Sequence, residues 1–148
     1  MKLSIAAIVL GLFGLVLAGC DSQASLRRDT ITTTDKPADR VVVYYMHRTL
    51  RCISCLTIEN ETRKALDENF APQLASGQVE FHSEDYWMNE SLAERYGVDT
   101  VSVVVVAVAN GKELSHENLA RVWELKGKPS ELRSYIAQAV RGALAKVD

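Results

Sequence analysis

The stretch "RVVVYYMHRTLRCISCLTIENETRKAL", residues 40–66, joins three patterns end to end. Residues 40–46 are a continuous β-branched and aromatic run, the signature of a strand buried on both faces. "HRTLRC" then reads as a short loop. From Ile53 the period changes. Ile58, Thr62, Ala65, Leu66 and Phe70 recur at intervals of three and four, with Glu59, Glu61, Arg63 and Lys64 between them. That spacing predicts an amphipathic helix, which Pro72 is expected to end. Cys52 is thereby placed at the mouth of the helix and Cys55 one turn inside it.

The rest of the chain supplies more elements of the same kind. "GQVEFHSED", residues 77–85, alternates Val79 and Phe81 with polar residues, as a strand does. Residues 89–98 predict a short helix with Asn89 as its cap and Gly97 at its end. "VSVVVVAV", residues 101–108, is strongly strand-like, and "NGK", residues 110–112, predicts a tight hairpin turn. The returning strand is expected either near residues 113–115 or within "ARVWEL", residues 120–125. Gly127 and Pro129 introduce a final helix over residues 130–146, with Leu132, Ile136, Ala139, Val140 and Ala143 on its apolar face. The order is β-α-β-α-β-β-α, an α/β domain. Trp87 and Met88 are expected in core or rim packing, and Trp123 between the last helix and the sheet. His82 is expected to face solvent and His116 to lie in a polar loop.

The N-terminal part differs. Lys2 precedes "LSIAAIVLGLFGLVLA", residues 3–18, a run without charge that ends in small residues. It has the form of a secretory signal peptide and is shorter than a membrane span of about 20 apolar residues. "LAGC", residues 17–20, resembles the lipobox of bacterial lipoproteins, which implies cleavage after residue 19 and acylation of Cys20. The Asp21 that follows implies, by the same resemblance, an extracytoplasmic protein held at the periplasmic face of the inner membrane if the source is Gram-negative. Residues 20–39 are polar, rich in Ser, Thr and charge, and contain Pro37, so they read as a tether. The expected organisation is a leader over 1–19, the lipidated Cys and tether over 20–39, and one domain over 40–148. The chain of 148 residues has a formal net charge of −2. Loss of the leader removes only Lys2, so no strongly basic surface of the kind nucleic acid requires is present.

Of three cysteines, Cys20 is assigned to lipid, which leaves Cys52 and Cys55 as a pair. A disulfide across two intervening residues removes little chain entropy, so it is a poor staple. At a helix N-terminus the dipole and free N–H groups favour a thiolate, and Arg51 adds positive charge, with Arg48 nearby. Cys52 is the candidate nucleophile and Cys55 the resolving thiol, the division of labour that thiol–disulfide exchange needs. His47 and Glu59 are candidates for tuning the thiolate or moving its proton.

A CxxC pair between a buried strand and a helix, in this element order, resembles the thioredoxin superfamily over residues 40–146. The resemblance implies a four-stranded mixed sheet flanked by helices and a redox-active disulfide without another cofactor. Two positions depart from it. The buried Asp that thioredoxins use in proton handling is Met46 here, and their cis-proline is Ser102, expected to put a hydroxyl and extra space beside the sulfurs. A narrower resemblance lies in "YYMHRTLRCISCLTIE", residues 44–59, carried by Tyr44, Tyr45, His47, Arg51, Cys52, Cys55, Ile58 and Glu59. It is similar to small thioredoxin-like proteins described as nitrophenyl-compound nitroreductase subunits and associated with membrane thiol carriers. The partners so implied are a polytopic membrane thiol carrier and an extracytoplasmic acceptor, the acceptor side belonging to a nitroaromatic-reducing system. The alternative from the residues themselves is a Cu(I) site of Cys52, Cys55 and His47, since two thiolates suit a soft ion. A third reading is a structural or interaction subunit in which the pair is incidental.

Overall fold

The computed structural model describes residues 39–147. The leader, Cys20 and most of the tether lie outside the described residues. Eight elements follow in order: β1 (Arg40–His47), α1 (Ile53–Ser76), β2 (Val79–Asp85), α2 (Glu90–Tyr96), β3 (Ser102–Ala109), β4 (Lys112–Asn118), α3 (Val122–Leu125) and α4 (Pro129–Leu144). The strands form one sheet in the order β2-β1-β3-β4. β1 runs parallel to β2 and antiparallel to β3, and β3 pairs antiparallel with β4. This is the thioredoxin-like four-stranded mixed sheet expected from the sequence.

β1 and β3 are the centre of the sheet, and their composition shows why. Val41, Val43, Tyr45 and Met46 are fully buried, and every residue from Ser102 to Val108 is buried. Successive side chains point to opposite faces. The Tyr45 hydroxyl donates to the Cys55 carbonyl, which puts α1 on the face that Val41 and Val43 share with it. The Tyr44 ring lies 5.7 Å from the ring of Tyr96, which puts α2 on the other face.

α1 is longer than its sequence pattern predicts. The helix does not stop before Pro72 but continues to Ser76. Phe70 leaves helical geometry (φ −136°, ψ 24°), so Pro72 falls in the first turn of a resumed segment, where a missing N–H costs nothing. Gly77, at φ 77°, ends it in the left-handed conformation that glycine adopts most easily. Asn89 stands at the cap position of α2, but its side chain makes no capping bond; Gly97 closes that helix as expected.

Asn110 and Gly111 both have positive φ, the form of turn whose twist suits a two-residue hairpin. The strand after it is β4, Lys112–Asn118, so the nearer of the two expected positions is the right one and extends further than its pattern suggests. The more distant "ARVWEL" is not a strand. Its Val122–Leu125 segment makes a single turn, α3, that buries Val122 and Leu125. His116 accordingly lies on β4 and not in a loop. α4 opens with Pro129 in its first turn and buries Leu132, Ile136 and Val140.

One buried acid joins the two long helices. Glu61 is 5% exposed and lies in the α1 face toward α4. It pairs with Arg133 of α4 and with Lys64 at 2.9 Å. The hydrogen bond from Lys64 leads in lowering the Glu61 pKa below the ordinary 4.5; Arg133 adds to it, against the opposing effect of burial. Glu61 therefore contributes stability above its unfolded pKa, which is lost as pH falls through the lower folded value. Arg133→Ala leaves a buried carboxylate with one cation and is expected to cost roughly 2 kcal/mol near pH 7. Urea unfolding of variant and native chain checks this. The difference should shrink at a pH low enough to protonate Glu61; a difference that stays constant counts against the pairing.

Candidate active site

The two cysteines occupy different environments. Cys52 is exposed and Cys55 is 4% exposed, and they are joined as a disulfide with Cα atoms 4.9 Å apart. Cys52 is also the N-cap of α1. Its backbone is extended, its carbonyl accepts from Leu56 N–H at 2.9 Å, and its sulfur accepts from Cys55 N–H at 3.0 Å. The first turn of a helix has N–H groups without intrahelical partners. Here a sulfur takes the place of the usual cap oxygen. After reduction, the same N–H and helix dipole favour negative charge on Cys52.

Beneath the pair, Tyr45 fixes the helix start. Its buried hydroxyl donates to the Cys55 carbonyl at 2.6 Å. Burial leads in pushing its pKa up to about 12, so the hydroxyl remains a donor and not a proton acceptor across the neutral range. Met46, next to Tyr45 in β1, is fully buried and has no proton to exchange.

Charge beside the pair is concentrated in Arg51 and Glu59. Arg51 is ion-paired to Glu59, and its guanidinium lies 5.4 Å from the centre of the Tyr45 ring. Glu59 also receives Arg63 at 3.1 Å. Burial alone would raise the Glu59 pKa, but the hydrogen bond from Arg63 and the charge and hydrogen bond of Arg51 outweigh it, and the net shift is downward. Glu59 thus stays ionised and offsets part of the charge of Arg51, the residue before Cys52. Such an acid is better suited to tuning than to shuttling a proton.

His47 is half-buried at the end of β1. Its Nδ1 lies 2.9 Å from the Arg48 carbonyl and its ring 5.8 Å from the ring of Tyr45. Among the described residues, no three His, Cys, Asp or Glu side chains are grouped to hold a metal ion, so His47 does not join the cysteines as a ligand set. Ser102 is 3% exposed, and its hydroxyl donates to Asn118 Oδ1.

A cavity of ≈ 300 Å³ opens beside the disulfide, lined by Cys52, Cys55, Arg48, Leu50, Trp87 and Trp123, together with the 100–101 segment. Trp87 is 53% exposed and Met88 81%, so neither is a core residue. Trp87 stands in the cavity wall with the Arg48 guanidinium 5.4 Å from its ring centre. Trp123 donates its indole N–H to the Val101 carbonyl at 2.7 Å, which turns its ring toward the cavity as well as toward the sheet. The loop carrying Arg48 is tied down from β2. Arg48 Nε donates to the Tyr86 hydroxyl at 2.7 Å, and the Thr49 hydroxyl donates to Asp85. That bond leads in lowering the Asp85 pKa, and the Trp87 backbone N–H bonds the same carboxylate. The sequence offers no local signal for Trp87, Trp123 or Asn118, because each reaches the site from an element remote in the chain.

No protein-family model and no curated protein matches the chain. Among solved structures it is similar to a thioredoxin of Fasciola hepatica, at 22% identity over 68% of this chain and 81% of that one, with a TM-score of 0.41. It is also similar to a thioredoxin of Malassezia sympodialis (21%, 71% and 81%, TM-score 0.45) and to one of Trypanosoma brucei brucei (21%, 67% and 80%, TM-score 0.39). The fold itself stands on the strand order and on the placement of the cysteines at the start of α1.

If Glu59 moderates Arg51, Glu59→Gln should shift the pH midpoint of Cys52 alkylation in the reduced protein downward, and Arg51→Gln should shift it upward. In an Arg51→Gln background the Glu59 effect should largely vanish. An undiminished effect there would show that Glu59 acts on Cys52 directly.

Proposed function

We propose that the protein is a membrane-anchored, extracytoplasmic thiol–disulfide redox protein that passes electrons from a polytopic membrane thiol carrier to an acceptor. The observation that carries the reading is the pairing of an exposed, helix-capping Cys52 with a buried Cys55. In the first half-cycle a carrier thiolate attacks Cys52 Sγ, the Cys52–Cys55 bond breaks, and Cys55 leaves as the thiolate. The carrier's second thiol then displaces Cys52, so the carrier ends as a disulfide and this protein as a dithiol. In the second half-cycle Cys52 thiolate attacks the acceptor disulfide, and Cys55 resolves the mixed disulfide. Two electrons move in each half-cycle.

Anchoring rests on the lipobox-like "LAGC" and the leader before it. A lipid anchor confines carrier and redox domain to one surface and raises their effective concentration. The resemblance in residues 44–59 supports a finer reading, in which the acceptor belongs to a nitroaromatic-reducing system.

The full chain in detergent micelles, equilibrated in graded thiol–disulfide buffers, tests the core of this reading. Alkylation of Cys52 and Cys55, read by peptide mass, should show one reversible two-electron transition. A midpoint near about −270 mV places the pair as a reductant carrier, and one near about −120 mV as a disulfide donor. Cys52→Ser should abolish exchange, while Cys55→Ser should accumulate a mixed disulfide. A pair that never forms a clean disulfide across the range refutes the reading.

A further inference from the structure

Large apolar side chains are exposed in a restricted part of the surface. Among the described residues, Leu50, Ile53, Leu56, Trp87, Met88 and Leu114 are the exposed ones. The first five sit on the loop before Cys52, the first turn of α1, and the turn after β2. Only Leu114, on β4, lies elsewhere. Exposed apolar groups gathered around one reactive sulfur mark a contact surface, not scattered surface residues.

The cavity within that surface has a definite chemistry. Its lining includes two indoles, Trp87 and Trp123, with Leu50 and Val101. Each indole carries a cation. The Arg48 guanidinium is 5.4 Å from the Trp87 ring centre and the Lys126 ammonium is 4.8 Å from that of Trp123. Arg48 is the one charged side chain lining the cavity. Among the described residues, no acid lines the cavity itself. Asp85 bonds Thr49 and the Trp87 backbone, while Glu90, Glu94 and Asp99 line a separate depression that Trp87 borders. A chain of net negative charge thus presents, beside its reactive sulfur, an aromatic-walled cavity whose one charged lining residue among those described is an arginine.

The geometry points to the partner this groove fits: a polypeptide segment whose redox cysteine is next to an aromatic side chain and flanked by carboxylates. The aromatic group would enter between the indoles, and the carboxylates would meet Arg48 in the cavity wall. This inference rests on the thiol–disulfide reading of the site and names the substrate class that the site selects. The chemistry it accompanies is balanced. Cys52 thiolate attacks the segment's disulfide and bonds its cysteine, and the other sulfur leaves as thiolate. Cys55 then attacks Cys52 and releases the segment's cysteine as a thiol.

The test is the rate at which the reduced full chain, in detergent micelles, reacts with three disulfides. One is the dimer of the peptide Asp-Phe-Cys-Asp, the second the dimer of Lys-Ala-Cys-Lys, and the third is hydroxyethyl disulfide. Each rate is divided by the rate of the same disulfide with a small dithiol, which removes intrinsic reactivity. The acidic aromatic peptide is expected to be preferred about tenfold over both others at low salt, with part of the preference lost at high salt. Trp87→Ala and Arg48→Gln should each reduce that preference at least threefold, whereas Leu114→Ala should keep it. An unfolded fraction would also react without preference, so each variant is first shown by circular dichroism to be folded like the native chain. A native preference below threefold, equal reaction with hydroxyethyl disulfide, or a preference untouched by both substitutions overturns the inference while leaving the redox reading intact. No exchange with any disulfide overturns the redox reading, and this inference with it.

Discussion

The hydrogen bond from the Tyr45 hydroxyl to the Cys55 carbonyl is the point at which the sheet and the reactive pair become one structure. Tyr45 cannot move, because it is fully buried in the central strand and paired on both sides, to Ser83 and to Val103. The carbonyl it holds belongs to the residue whose N–H caps onto the Cys52 sulfur. One side chain of the core therefore fixes the height and rotation of the first turn of α1. Everything the cysteines do follows from that placement: Cys52 outward and accessible, Cys55 inward, and the helix N-terminus aimed at the sulfur that must carry charge. A buried hydrogen bond contributes only about 1 kcal/mol net, but leaving its groups unpaired costs more, so its effect on geometry exceeds its effect on stability.

Proton handling has a different basis from that of a pair seated over a buried acid. Met46 offers no carboxylate, and the Tyr45 hydroxyl, raised to about 12, accepts no proton near neutrality. The acid that is present, Glu59, is held ionised between two arginines. It can adjust a potential by moderating Arg51, yet it is a weak base. Cys55 is buried on the side of Tyr45 and lines the cavity of Arg48 and Trp87.

How much of this the sequence reveals depends on whether the determining contacts are local. β1, the start of α1 and the NG turn are set by neighbours in the chain, and each is where its pattern puts it. The end of α1 is not, because Phe70 breaks the helix just before Pro72 and lets the proline begin a new turn. Residues 120–125 are apolar enough for a strand, but the edge position is already filled by β4, so "VWEL" buries its apolar residues as a single helical turn instead. The cysteine pair and Arg51 are legible because their chemistry is contained in a few consecutive residues. Trp87 reads as packing from sequence, since an aromatic after a strand is usually core. Its exposure is decided by Asp85, which holds its backbone in the turn.

The wall of the cavity opposite Trp87 shows the same dependence at longer range. Ser102 opens β3 at this wall, and hydrogen bonds made across the sheet hold it. Ser102 donates to the Asn118 amide oxygen. The amide nitrogen of Asn118 donates to the Tyr96 and Gly97 carbonyls at 3.2 and 3.1 Å. Trp123 holds the Val101 carbonyl from the other side. Asn118 can do this only because it stands opposite Val104 in the β3–β4 pairing, a register that includes a shift between Ala107 and Val108. A slip of one residue would turn Asn118 to the opposite face of the sheet and free the loop. The hairpin that edges the sheet therefore helps to hold the start of β3, next to the 100–101 segment beside the sulfurs, and the tight turn at Asn110–Gly111 sets the register in which it does so.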